Sequence, residues 1–191
     1  SNENFLKYNS LDEAKNNGIS FVSGDRKKEG ILPNLSIYEN LVVPLYKKTS
    51  KAGFLGFVNW MELNGIFDWE VERLSIKTGP RDNLIGSLSG GNQQKVMIAR
   101  SFAQHPKVLI LNDPARGIDV STKRDLYVHL RKYVEEGNTV VFLSSELEEF
   151  IGLCPKVMVF RNGTVFDIFE NEKVNADTLL EGMFGQTAGI G

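Results

Sequence analysis

One cysteine, Cys154, in 191 residues leaves no intrachain disulfide to form, and that scarcity fits a reducing compartment such as the cytoplasm. Histidine is nearly as rare. His105 and His129 are the whole set, and neither has a second histidine or a cysteine at ligand spacing, so surface or capping roles are expected rather than metal binding. No apolar run approaches the ~20 residues that a membrane-spanning helix needs. No signal-peptide pattern opens the chain. A net charge of −2 supplies no global field to recruit nucleic acid or an anionic membrane. The local basic runs Arg26-Lys27-Lys28 and Lys47-Lys48 with Lys51 read as solvated loops. What is present is ordinary for a globular chain: 41% hydrophobic and 24% charged residues can bury one good core, or one domain with a small subdomain.

Local signals punctuate the chain clearly. Ser10-x-x-Glu13 is a capping box that starts a short helix closed by Gly18, and Ile19–Val22 follows as a strand. Gly24-Asp25-Arg26-Lys27 is a polar exit from that strand. Ser36-x-x-Glu39 is a second capping box, and from it to about Ile85 the periodicity is helical. Leu41, Leu45, Phe57, Trp60, Met61, Phe67, Trp69 and Leu74 suit amphipathic helices there. Asn92 to about Gln104 is a helix with Val96, Ile98, Ala99 and Phe102 on its apolar side. Val108–Leu111 is an apolar strand of the kind buried on both faces. Ser121–Glu136 is amphipathic, with Leu126, Leu130, Tyr133 and Val134 at helical spacing and Gly137 as its stop. Thr139–Leu143 reads as another buried strand and Glu146–Leu153 as a short helix. Lys156–Arg161 and Thr164–Phe169 form a hairpin about Asn162-Gly163. Asp177–Phe184 is a last helix, with a frayed tail over 186–191. Strands alternating with helices predict an α/β fold with a mostly parallel sheet. Its expected divisions are an N-terminal core portion over 1–35, a helical subdomain over 36–86, an α/β core over 87–170, and a C-terminal helix and tail over 171–191.

The chemistry concentrates at Leu88-Ser-Gly-Gly-Asn-Gln-Gln-Lys95. Paired glycines at a helix start let backbone approach an anion, and the unpaired N–H groups of the first turn point at it. Val108–Leu111 then carries Asn112-Asp113-Pro114 to a strand end, where nucleotide chemistry sits in an open α/β sheet. Equally informative is a missing motif. No Gly-x-x-x-x-Gly-Lys-Ser/Thr phosphate cradle occurs anywhere in the chain, and such a loop is what grips a triphosphate in this class of site.

At these residues the chain resembles the ATP-binding subunits of ABC transporters. Leu88–Lys95 is similar to their signature motif, Val108–Pro114 to their Walker B strand, and Ala115-Arg-Gly-Ile-Asp119 to their D-loop. The wording Leu-Ser-Gly-Gly-Asn-Gln-Gln-Lys with Arg-Gly-Ile-Asp looks specifically like the sugar importers of the ribose/galactose type. In those proteins two nucleotide-binding halves share one polypeptide. The resemblance implies a truncated P-loop NTPase-like ABC domain whose first strand, phosphate loop and loop helix lie upstream. It also implies ATP and Mg²⁺ as cofactors of the intact assembly, with none expected on the isolated chain.

The resemblance also exposes substitutions. Asn112 holds the Walker B aspartate position, a weakened magnesium ligand because an amide is neutral. Asp113 holds the catalytic glutamate position, one methylene shorter. Ser145 stands where the family has its switch histidine, and Gly24 where it has the Q-loop glutamine. The implied identity is a degenerate second half that lacks its own catalytic site. Leu88, Ser89, Gly90, Gly91, Asn92 and Gln93 would instead complete the ATP site of a partner half, and Asp119 would couple the two sites. Implied partners are that other half, transmembrane permease subunits and, indirectly, a periplasmic or extracellular sugar-binding protein; no nucleic acid is implied. The implied location is the cytoplasmic face of the membrane, held peripherally. The rival expectation is a non-catalytic, nucleotide-gated scaffold or regulatory ABC-domain protein.

Overall fold

The computed structural model describes residues 7–46 and 58–184. The sequence readings at Phe57, at Lys47, Lys48 and Lys51, and over the 186–191 tail lie outside the described residues. Two compact units divide the chain, Ser1–Leu143 and Ser144–Gly191.

In the first unit the parallel sheet has three strands: β1 (Ile19–Val22), β2 (Val108–Asn112) and β3 (Thr139–Leu143), in that spatial order. Register is continuous, with Phe21 beside Ile110 and Ile110 beside Val141. The helices are α1 (Leu11–Asn16), α2 (Ile37–Val42), α3 (Trp60–Arg73), α4 (Gly90–Phe102) and α5 (Val120–Glu135). Both capping signals place helix starts. Ser36 accepts from the Glu39 N–H while the Glu39 carboxylate returns to the Ser36 N–H, a complete box. At α1 the Ser10 hydroxyl accepts from the Glu13 N–H, but the Glu13 carboxylate reaches one residue further, to the N–H of Asn9. Gly18 then turns the chain with φ +76°, a conformation glycine adopts without penalty.

Alternation along the strands decides which side chains are buried. Val22, Leu109 and Leu111 face a core shared with Ile98, Ala99 and Phe102 of α4, and with Leu126, Leu130 and Tyr133 of α5. The opposite face is open: Phe21, Val141 and Leu143 are all exposed. The expectation of strands buried on both faces is therefore wrong for β2 and more so for β3. A continuous apolar run reports composition, and says nothing about which face finds a cover.

Between Ser36 and Gly86 the described residues hold α2, a 3₁₀ turn at Val43–Leu45 and α3, with an isolated bridge between Ser36 and Leu84 and no strand. Ile37, Leu41, Leu45, Leu63, Phe67 and Leu74 are buried here. Trp60, Met61 and Trp69 are not; their side chains face outward, against the amphipathic assignment. Each sits off the stripe set by Leu63, Phe67 and Glu70 on the same helix.

The second unit holds the hairpin β4 (Lys156–Arg161) and β5 (Thr164–Glu170), with a register irregularity at Val159/Phe160. Val157 and Val159 pack with Val174 and with Leu179 of α6 (Ala176–Phe184). The short helix expected over 146–153 shrinks to a 3₁₀ turn at Leu147–Glu149.

Candidate nucleotide-contacting site

Ser89 is the N-cap of α4, with φ −59° and ψ 156° just before the helix. Its Oγ accepts from the Asn92 backbone N–H at 3.4 Å and from Asn92 Nδ2 at 3.0 Å. Gly90 and Gly91 are the first helical residues, so no intrahelical carbonyl can accept their N–H groups. The first turn carries no acidic residue. Its local field is therefore positive and uncompensated, the condition that favours an anion. Leu88 is buried beneath the turn. Gln93 bends back, donating from Nε2 to the Leu88 carbonyl at 3.0 Å. Ser89, Gly90 and Gly91 thus lead the helix start as the sequence predicts, while Asn92 and Gln93 hold the turn from within.

Two residues outside the octapeptide shape this turn. Arg26 donates from Nη1 to the Gly90 carbonyl at 3.0 Å. A Cβ on Gly90 would lie 3.0 Å from Arg26 Nη2, so the guanidinium lies against the glycine. Arg26 belongs to a π-helical turn, Arg26–Gly30, capped by the Asp25 carboxylate accepting from the Lys28 N–H at 3.1 Å. The other is Thr122 of α5, whose methyl group a Cβ on Gly91 would meet at 3.0 Å. The octapeptide itself signalled neither, and Arg26 lies in a basic run expected as a solvated loop, whereas the structure half-buries it against this turn.

Asp119 caps α5. Its carboxylate accepts from Ser121 Oγ at 2.6 Å, Thr122 Oγ1 at 2.8 Å and the Thr122 N–H at 2.9 Å. The Ser121 hydroxyl, then the Thr122 groups, hold its carboxyl far below the usual carboxylate range. The side chain is committed to its own helix, and through Thr122 that helix start touches Gly91. Lys95, the last residue of the octapeptide, is buried and lies 3.5 Å from Asp125 of α5.

The strand-end group is separate. Asn112 pairs with Leu143 across β2 and β3. Asp113 follows in left-handed backbone with φ +43°, its N–H donating to the Leu143 carbonyl at 2.8 Å. Aspartate is among the few non-glycine residues that enter this region readily. Gly24 abuts the same point: a Cβ on it would stand 2.7 Å from the Asn112 carbonyl oxygen and 3.2 Å from Asp113 Cβ. Gly24, Asn112 and Asp113, read as substituted from the sequence resemblance, are therefore brought together, with one carboxylate between them. Among the described residues no group of three or more His, Cys, Asp or Glu could hold a metal ion. Asp113 is the one carboxylate of this group and Asn112 offers a neutral amide, so the group could supply only part of a Mg²⁺ shell, which takes one or two carboxylates with phosphate oxygens and waters. Ser145 is exposed and belongs to the second unit.

His105 follows α4 in left-handed backbone with φ +51°, its N–H donating to the Phe102 carbonyl, as a capping role requires. No helix among the described residues is long and apolar enough to cross a membrane.

A family model described as ABC transporter matches residues 6–116. The ribose import ATP-binding protein RbsA of Bacillus cereus is 37% identical over 175 residues, covering 92% of this chain and 35% of that protein. Its namesake in Roseobacter denitrificans is 36% identical over 168 residues, covering 88% and 32%. The chain thus spans about a third of the length of these curated relatives. A dimeric ATP-binding cassette solved in a post-hydrolysis state with ADP and Pi superposes with a TM-score of 0.70 at 23% identity, covering 83% of this chain and 66% of that one. That likeness speaks for the fold.

Proposed function

The chain belongs to the ABC transporter family, and from that premise we propose that it is the signature-bearing part of a degenerate nucleotide-binding half in a sugar importer of the ribose type. In this reading it completes, in trans, the ATP site of a partner half. The partner carries the phosphate loop; this chain contributes the Ser89 hydroxyl and the N–H groups of Gly90 and Gly91. ATP with Mg²⁺, when held by the partner, supplies the free energy of phosphoanhydride cleavage. This chain's own residues do two things: they present donors to the terminal phosphate and hold the turn that presents them.

The observation that carries the reading is the signature turn itself. An N-cap hydroxyl, two N–H groups without intrahelical acceptors and a guanidinium on the Gly90 carbonyl meet at one helix end. Charge-assisted contacts of that kind contribute roughly 1.5–3 kcal/mol each. The strand-end group of Gly24, Asn112 and Asp113 supports the asymmetric half of the proposal, because it offers one carboxylate beside a neutral amide. The remaining proposed parts follow the family: permease subunits as partners, a sugar-binding protein acting indirectly, and a peripheral position on the cytoplasmic face. The expected division into 1–35, 36–86, 87–170 and 171–191 is carried forward with it.

The test is hydrolysis of Mg-ATP by a partner half carrying a complete phosphate loop, with and without this chain. Hydrolysis should be absent from this chain alone and should rise when the two are joined. An Asp113→Asn exchange should leave that joint rate largely intact, since the productive site lies on the partner. A joint rate no higher than the partner's own would refute the proposal.

A further inference from the structure

The amide of Asn92 points back into the protein, and its orientation is fixed by what it meets. Oδ1 accepts from the backbone N–H of Lys77 at 2.9 Å. Nδ2 is therefore the end that faces Ser89, donating to Oγ at 3.0 Å, while the Asn92 backbone N–H approaches the same oxygen at 3.4 Å. A serine hydroxyl has two acceptor sites and one proton. With both acceptor sites engaged, the Ser89 proton can only be donated, and it has no acceptor among the described residues.

We propose that Asn92 is a positioning residue that holds the Ser89 hydroxyl as a committed hydrogen-bond donor toward a phosphate oxygen. The inference rests on the trans-acting signature reading and deepens it. A hydroxyl fixed in this way selects a ligand atom that only accepts, as a phosphate oxygen does, and offers no lone pair to a donor. The Lys77 end of the chain of contacts is itself anchored, because Lys95 Nζ donates to the Ser75 carbonyl at 3.4 Å. The segment that follows α3 is thus pinned to α4 at two points, and the direction of the Ser89 proton is set from outside the octapeptide.

Asn92→Asp tests the effect when its rate is read in two backgrounds. It keeps the size of the side chain, can still accept from Lys77, and suits the first turn of a helix. The atom facing Ser89, however, becomes an acceptor, and the serine proton turns inward to it. On the joined protein, kcat for Mg-ATP should fall tenfold or more while KM stays within about twofold, since the partner's phosphate loop still grips the nucleotide. Tm should not fall. In a Ser89→Ala background, assayed at concentrations that resolve the residual rate, Asn92→Asp should slow hydrolysis by a clearly smaller factor than in the parent, because only the added charge, and no longer the turned serine proton, then acts on the phosphate. The same factor in both backgrounds, or an unchanged kcat in the Asn92→Asp variant while Ser89→Ala slows hydrolysis, would overturn this inference alone. A Ser89→Ala protein as active as the parent would overturn the trans-acting reading, and this inference with it.

Discussion

Arg26 and Gly90, 64 residues apart in sequence, meet through a 3.0 Å hydrogen bond from Nη1 to the glycine carbonyl. The contact ties the turn that follows β1 to the first turn of α4. It sets a cation at the positive end of a helix, an arrangement that is unfavourable without an anion nearby. The Arg26 Nε is buried with no hydrogen-bond partner, which adds to that cost.

Arg26→Met should weaken the fold by about 1–2 kcal/mol, the value of a charged hydrogen bond less the relief of removing a cation from the helix N-terminus. Urea unfolding at constant m-value measures it. A midpoint indistinguishable from the parent would mean that the contact does not hold the turn in place.

Two glycines should respond oppositely to alanine. Gly24 has the Asn112 carbonyl oxygen 2.7 Å from where a Cβ would stand, and backbone cannot swing aside. Gly24→Ala should cost about 1–3 kcal/mol. Gly65 is exposed within α3, with nothing within 4 Å of that position. Gly65→Ala should stabilise by about 0.5–1 kcal/mol through helix propensity. Thermal melts of the two single variants check both signs.

Glu70 makes stability depend on pH. Burial raises its carboxyl from the ordinary 4.5 to about 7, against the pull of Arg73, and Glu136 adds to the rise. One oxygen lies 3.7 Å from Arg73 Nη1; the other is buried without a hydrogen-bond partner. The folded chain therefore holds this proton more tightly than the unfolded chain. The stabilisation is complete below the unfolded value of 4.5 and is lost as pH rises toward 7, at most about 3 kcal/mol in all. Glu70→Gln stays neutral throughout, so its stability should fall less than the parent's between about pH 5 and about pH 8. Parallel slopes for the two proteins would contradict this.

Much of this was legible from residues alone, and the failures have physical reasons. Ser36 and Glu39, Asn162 and Gly163, and Gly137 act within a few residues of themselves, so local chemistry placed their helix starts, turn and stop. On α4 the expected Val96, Ile98, Ala99 and Phe102 are buried, but so are Gln94, Lys95, Met97 and Ser101, so the helix is covered nearly all round where a single apolar side was expected. Trp60, Met61 and Trp69 misled because large apolar residues are taken as core, whereas helix phase set by Leu63 and Phe67 turns them outward. Val141 and Leu143 misled because an apolar strand does not say which of its faces is covered. At the site, Ser89, Gly90 and Gly91 could be read from motif chemistry. Arg26, Thr122 and the inward turn of Asn92 could not, since each depends on a contact between segments distant in sequence.

The most direct test of the trans-acting signature is Gly90→Asp. Arg26 Nη2 lies 3.0 Å from where the new Cβ would stand, and the guanidinium can move aside to meet the carboxylate, so the chain should fold. The added charge would nevertheless face the triphosphate held by the partner half. Mg-ATP hydrolysis by the joined halves should drop to the rate of the partner alone, with Tm no lower than the parent's. Undiminished hydrolysis in a folded Gly90→Asp protein would contradict the central claim.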